Sequence, residues 1–323
     1  MKQYTIPIFI PHEGCPHDCT FCNQRKITGV STSVTPDDAE KLIFEGLKRL
    51  DTNSREHFTE VAYFGGSFTG LEVSLQEDFL RVAEKYADKI HGIRLSTRPD
   101  YINDEIIELL KKYKVTTVEL GAQSADDEVL RVNNRGHLFE DVIKSSKMIK
   151  DAGIELGLQM MIGMYGSTPE KDILTAEKIA SLLPKCTRIY PTITLKDTEL
   201  ENLYRCGKYI PYDVEKAVKV TAKVLRIFRN NNIEVIRIGL HSSDDLRREG
   251  NIVAGPFHAA FGELVEGEIY RENIEREIID GNYKNCEYII HAKPCEVSKI
   301  IGQNKRNKKY FYEKFGVNLV VKQ

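Results

Sequence analysis

Short apolar runs alternate with amphipathic helical patterns along most of this chain, and that alternation narrows its fold more than any other feature. Residues 4–10 read as a first strand, and a helix follows over about 36–50 with Ala39, Leu42, Ile43, Leu47 and Leu50 on one face. Thr35 suits its cap, Pro36 its first position, and Asp37 and Asp38 its dipole. The runs 60–64, 93–96, 117–120, 155–161 and 188–193 are each trailed by another amphipathic stretch. Ser74-Leu75-Gln76-Glu77 reads as a capping box, and Thr168-Pro169-Glu170 as a further helix start. Six β-then-α units in succession call for parallel strands joined by right-handed helical crossovers. The expected fold is α/β: a partial (β/α)6 TIM-like barrel over residues 1–245, then a small α/β extension with a basic segment over 246–323.

The carboxyl ends of the strands form the mouth of such a barrel. Gly65-Gly66-Ser67-Phe68-Thr69, Ser96-Thr97-Arg98-Pro99-Asp100, Gly121-Ala122-Gln123-Ser124, Gln159 with Gly163-Met164-Tyr165-Gly166, and Tyr190-Pro191-Thr192 all fall there. Paired glycines also serve ordinary tight turns. Beside a ligand they leave backbone groups bare, open to a zwitterion whose amino group needs carbonyl acceptors. Cys15, Cys19 and Cys22, spaced C-x3-C-x2-C with Phe21 before the third, open onto the same face. Three thiolates hold three corners of a cubic iron–sulfur cluster and leave the fourth iron for a ligand. The spacing therefore points to a [4Fe-4S] cluster that binds S-adenosylmethionine and cleaves it to a radical. The plain alternative is a zinc knuckle completed by His12 or His17.

Seven cysteines in 323 residues, three of them clustered, do not make a secreted disulfide framework. No run approaches the length of a membrane span, and the proline-broken opening strand is no signal peptide, so a cytoplasmic enzyme is expected. Cys186, Cys206, Cys286 and Cys295 are spaced as ordinary thiols, although a second cluster among them is conceivable.

Several stretches together resemble the radical S-adenosylmethionine superfamily, above all the radical domain of the Elongator catalytic subunit. They are Phe64-Gly65-Gly66-Ser67-Phe68, Thr97-Arg98-Pro99-Asp100-Tyr101, Glu119-Leu120-Gly121-Ala122-Gln123-Ser124, Asn134-Arg135-Gly136-His137 and Tyr190-Pro191-Thr192, in a similarity covering roughly residues 5–245. Ile10-Pro11-His12-Glu13-Gly14-Cys15-Pro16-His17 and Ala254-Gly255-Pro256-Phe257-His258 look like a shorter group of Elongator-like radical enzymes. The resemblance implies that Phe21 lies near the adenine and that Gly65, Gly66 and Ser67 receive the methionyl amino group. It also implies that Ser96, Arg98, Gln123, Arg135 and Gln159 line the cofactor and substrate cavity. An external low-potential electron donor and an RNA substrate, a tRNA base, follow from the same likeness. Three departures stand out. The gap between the first two cysteines is the shorter one shared with anaerobic coproporphyrinogen oxidases; Ser96 stands where Elongator-type sequences carry Glu; and the chain ends without room for their acetyltransferase domain, so acetyl transfer is not implied.

The chain's net charge of −2 hides an asymmetry, since residues 296–323 carry seven Lys/Arg against two Glu. A helix over 259–280 is expected, then a β-α-β appendage with strands at 288–291 and 317–321. Its turn, Ile300-Ile301-Gly302-Gln303-Asn304-Lys305-Arg306, resembles the glycine clamp of KH-type RNA-binding modules but lacks the second glycine. A solvated basic helix with Phe311 and Phe315 turned inward fits the same residues, as does a basic surface touching RNA backbone without that fold. Lys305, Arg306, Lys308 and Lys309 are the candidate RNA contacts. Asp100, Glu119 and His137 could move protons, but ion pairing is the expected role for each. The readings left open are a radical enzyme acting on RNA, a radical enzyme acting on a porphyrinogen or other small molecule, and a zinc-stabilised RNA-binding protein without catalysis.

Overall fold

The computed structural model describes residues 2–10, 15, 19–23, 34–51, 57–240, 248 and 250–323. Along the chain come β1 (Lys2–Ile10), α1 (Pro36–Asp51), β2 (His57–Gly65), α2 (Val73–Glu84), β3 (Gly92–Thr97), α3 (Asp104–Lys112) and β4 (Thr117–Gln123). Then follow α4 (Asp127–Val132), α5 (Phe139–Asp151), β5 (Glu155–Ile162), α6 (Pro169–Ser181), β6 (Cys186–Pro191), β7 (Thr194–Leu195), α7 (Glu199–Arg205), α8 (Val214–Asn230) and β8 (Glu234–Ile238). The sheet has seven parallel strands in the order β1-β2-β3-β4-β5-β6-β8, a partial barrel with one strand beyond the six expected β-then-α units. Short β7 pairs instead with β9 (Ile252–Ala254), antiparallel and outside that sheet.

Side chains alternate across each strand, so residues two apart share a face. One face supplies Ile93, Leu95, Val118, Leu120, Leu156, Leu158 and Ile189 to a core shared with Leu80, Leu110, Val142, Ile179, Val218 and Leu225 of the surrounding helices. Each such side chain contributes about 1.5–3 kcal/mol by leaving water. The other face carries Arg94, Ser96, Glu119, Gln123, Gln159, Arg188 and Tyr190 into the barrel lumen. A polar lumen wrapped by an apolar shell thus follows from a period of two.

Helix starts agree with the sequence at two of three places. Thr35 accepts from the Asp38 amide at 3.2 Å while Asp38 accepts in return, and Thr168 accepts from the Lys171 amide at 3.3 Å. The Ser74 capping box does not form: Glu72 occupies the cap, Val73 opens the helix, and Ser74 lies inside it.

Beyond the barrel, α9 (Phe261–Asp280) leads to β10 (Glu287–His291), α10 (Val297–Ile301), α11 (Arg306–Phe315) and β11 (Asn318–Lys322). The two strands pair in parallel around a core of Ile274, Ile278, Ile300, Phe311, Val317 and Leu319, with Phe315 packed at its edge. The expected β-α-β appendage is β-α-α-β, because the chain turns sharply between Gly302 and Lys305. Gly302 takes φ +73°, and a Cβ there would lie 3.0 Å from Asn307 Cγ. Asn304 and Lys305 are left-handed too, at φ 53° and 61°. No helix among the described residues is long and apolar enough to cross a membrane.

Candidate active site

The cysteine loop is held against the barrel mouth from three sides. The amide of Thr20 donates to Asn133 O at 3.2 Å and its hydroxyl to Asn133 Oδ1 at 2.7 Å, while the Leu200 amide donates to Thr20 O at 2.8 Å. Asn133 in turn donates to Tyr165 O at 2.8 Å, which links the loops after α4 and β5. Within the loop the Cys22 amide donates to Cys19 O at 3.0 Å. Cys19 is buried, Cys22 and Phe21 half-buried, and Cys15 exposed. Arg135 completes the clamp, donating from Nη1 to Cys19 Sγ at 3.1 Å and from Nη2 to Gly121 O at 2.8 Å.

Three further loops converge there. Gly65 ends β2 with φ +114°, and a Cβ on it would fall 2.6 Å from Ile10 O, so only glycine fits. The Gly66 amide donates to that same carbonyl at 2.8 Å. Ser67 Oγ and Thr69 Oγ1 lie 2.8 and 2.6 Å from Thr97 Oγ1, and Ser67 Oγ also accepts from the Arg98 amide at 3.3 Å. Arg98 is fixed by a bidentate pair with Asp100 at 2.9 and 3.0 Å and by the Arg135 carbonyl. Cys19, Ser67, Arg98 and Arg135 are also the electrostatic neighbours of Cys15. Gln123 sits where the β4 register slips, left-handed at φ 65°. Its Oε1, with Arg135 Nε and Thr192 Oγ1, is buried and has no hydrogen-bond partner among the described residues.

Deeper in the lumen every charge is answered. Glu119 receives Arg188 at 2.5 and 2.9 Å, Arg94 at 3.1 Å and Gln159 at 3.0 Å. Arg94 also pairs with Glu60 at 3.3 Å, and Gln159 reaches Ser96 Oγ at 3.3 Å. Burial pushes the Glu119 carboxyl up, but the hydrogen bonds and charges of Arg188 and Arg94 outweigh it and hold it below the usual range. Asp100 and Glu119 are therefore ion-pair partners. His137 forms no ion pair among the described residues; it is buried, and burial backed by the Arg135 charge pushes its imidazole down to about 4. Asp172 braces the loop after β5, accepting from the Gly163 amide at 2.9 Å, Ser167 at 2.5 Å and Tyr212 at 3.0 Å. Burial pushes its carboxyl up to about 6.

The Radical SAM superfamily model matches residues 9–179, more than half of the chain. The chain belongs to the radical SAM superfamily. A Radical SAM C-terminal domain matches residues 184–271. The tRNA uridine(34) acetyltransferase of Methanocaldococcus infernus is 29% identical over 245 residues, which is 64% of this chain and 46% of that protein. Elongator complex protein 3 of Schizosaccharomyces pombe is 27% identical over 196 residues, 60% of this chain and 36% of that protein. The chain thus spans less than half the length of these two curated relatives. The solved structure of the archaeal Methanocaldococcus infernus Elp3 with an N-terminal deletion superposes with a TM-score of 0.67 at 23% identity, covering 84% of this chain and 64% of that one. The fold is shared, and the Elongator-type likeness read from the sequence is borne out by these relatives.

The donor set suits the cluster on which radical SAM chemistry depends. Three thiols share one loop, and a guanidinium N–H aimed at one sulfur stabilises thiolate charge. No three His, Cys, Asp or Glu side chains among the described residues converge on a single-ion centre. A cubane does not ask them to, since each thiolate takes a different iron. His12 and His17 lie outside the described residues. Cys186 lies in the lumen floor, 3.6 Å from Arg94, whereas Cys286 packs on the appendage core. Sequence reasoning missed Thr20, Asn133 and Thr97 as the residues that pin the loops. Only their places, between two cysteines or at the edges of recognised motifs, mark them out.

Proposed function

We propose that Cys15, Cys19 and Cys22 of this radical SAM enzyme hold a [4Fe-4S] cluster, that the mouth binds S-adenosylmethionine, and that the substrate is an RNA, in particular a tRNA base. The observation carrying this reading is a set of buried polar atoms at the barrel mouth without hydrogen-bond partners among the described residues: Gln123 Oε1, Arg135 Nε and Thr192 Oγ1. Buried polar groups are nearly always paired, so such a set supports a ligand that completes it. When bound, the cluster supplies the electron, received from an external low-potential donor, that cleaves S-adenosylmethionine to a 5′-deoxyadenosyl radical able to abstract hydrogen from substrate carbon.

The chain's own residues position and exclude. Gly65 and Gly66 present bare backbone to the methionyl end, held in place by the Ile10 carbonyl and, through Ser67, by Thr97. Phe21 offers a half-buried ring to the adenine. Arg135 ties the cluster loop to β4, and Arg98 carries Arg135 through its carbonyl, so the two arginines act as one brace. Ser96 and Gln159 face the lumen from the Glu119 network and orient whatever enters above it. The RNA reading draws on the relative named as a tRNA uridine(34) acetyltransferase.

Anaerobic reconstitution should load about four iron and four sulfide per chain, and the reduced protein should form 5′-deoxyadenosine. Incubation with total tRNA, followed by nucleoside mass spectrometry, should reveal a changed base. One tightly held zinc and no cofactor cleavage would sink the enzymatic reading. Cleavage stimulated by a porphyrinogen but not by tRNA would move the substrate to the small-molecule class, whose known cysteine spacing this chain shares.

A further inference from the structure

The barrel chemistry leaves the basic C-terminal module without a role. Lys305, Arg306 and Lys309 are exposed and Lys308 half-buried, along the turn and the first part of α11. Among the described residues Lys305, Lys308 and Lys309 reach no carboxylate within ion-pair distance, and Arg306 reaches only Glu215, at 3.8 Å. Tyr312 follows Lys308 by four residues and Lys309 by three, so the ring shares their helix face. It is 67% exposed, whereas its neighbour Phe311 is fully buried. A cleft of about 690 Å³ adjoins this face, running to α8 and lined among others by Lys219, Arg271, Arg306, Lys309 and Glu215.

We propose that this face binds single-stranded RNA, with Lys305, Arg306, Lys308 and Lys309 on successive phosphates and Tyr312 stacked on an unpaired base. The proposal rests on the RNA reading above and gives it a second, separate contact surface. Charge complementarity selects an anion, since residues 296–323 carry seven Lys/Arg and two Glu in a chain of net charge −2. The exposed ring selects a nucleic acid over an acidic peptide, because bases offer a flat face to stack and carboxylates do not. The cations are held ready. Asn307 is buried and donates to Gly267 O at 2.9 Å and Ile300 O at 3.1 Å, fixing the turn to α9. Lys305 occupies the place of the glycine missing from a KH-type clamp, in the left-handed conformation glycine would favour, at φ 61°. The substitution keeps the turn and adds a cation.

The test uses the full chain, a labelled unpaired RNA oligonucleotide and fluorescence anisotropy over a salt series. Replacing Lys305, Arg306, Lys308 and Lys309 together with Gln should flatten the slope of log affinity against log salt by up to about 2.8, at about 0.7 per lost phosphate contact. Tyr312→Ala, a change at an exposed position, should weaken binding by about 5- to 150-fold and leave the slope alone. Wild-type affinity and slope in both variants would overturn the proposal. Displacement of the RNA by polyglutamate as readily as by unlabelled RNA of equal charge, with Tyr312→Ala indifferent, would overturn it in favour of an acidic protein partner. Unchanged binding alongside a modified base in tRNA would remove this surface and leave the RNA reading standing. The expected slopes without any tRNA product would do the reverse.

Discussion

At the floor of the barrel Glu119 meets Arg188, Arg94 and Gln159, and Arg94 goes on to Glu60. Further along, at the carboxyl ends of β4 and β6, Gln123 Oε1 and Thr192 Oγ1 are buried with no hydrogen-bond partner among the described residues, and Gln123 is held in a strained backbone conformation. Both regions are polar and enclosed. One is closed by its own partners, and the other keeps polar atoms that no described residue pairs. The same lumen is therefore internally bonded at one end, and at the other it leaves polar atoms for the ligand proposed above. Substitutions at the two ends should fail in different ways.

The largest effect belongs to the mouth. Cys19→Ala should abolish both cluster loading and 5′-deoxyadenosine formation while the fold persists, as read by iron and sulfide analysis beside circular dichroism. Retention of cofactor cleavage would break the contrast at its root.

Next comes the floor. Glu119→Gln leaves Arg188 without its carboxylate and Arg94 with Glu60 alone, at a cost of about 3–5 kcal/mol in denaturant unfolding. A loss below about 1 kcal/mol would mean that the network is not what holds the floor.

Two buried groups then set opposite pH trends. His137 titrates near 4 in the fold against an ordinary 6.5, so acidification protonates the unfolded chain first and stability falls from about pH 6.5 down to 4. Asp172, raised to about 6, is protonated first in the fold and gains stability as pH drops through 6 toward its ordinary value near 4. Between pH 7 and 5 the first costs about 2 kcal/mol and the second returns about 1. His137→Leu should tilt the unfolding profile toward acid stability, and Asp172→Asn should tilt it the other way. Parallel profiles for wild type and both variants would count against both assignments.

The smallest effect sharpens the comparison most. Gly66→Val should weaken S-adenosylmethionine binding by about tenfold, or about 1.4 kcal/mol, with cluster content intact. Equal affinity in calorimetry would take that loop out of the mouth.

The parallel barrel was legible because apolar runs and caps repeat, and the motif loops fell at strand ends for the same reason. Depth along a strand was not legible. Ser96 and Gln159 face the lumen as Gln123 does, yet they join the Glu119 network while Gln123 does not. The Ser74 box was misread because Ser74 lies two residues past the N-cap position, which Glu72 occupies without a side-chain cap bond. The turn that splits the C-terminal helix puts both Asn304 and Lys305 in the left-handed region, which Asn tolerates but Lys rarely adopts. The bond from Thr20 to Asn133 spans 113 residues, beyond the reach of any local pattern.

That span has a consequence for how the protein is made. Asn133, Arg135 and Leu200, which hold the cysteine loop in place, are synthesised well after its three thiols. At about 5–20 residues per second the stretch from Cys22 to Leu200 takes roughly nine to thirty-six seconds to make. A settled cysteine loop therefore exists only after Leu200 is made, and until then the three thiols lack the anchors that hold them in the finished fold.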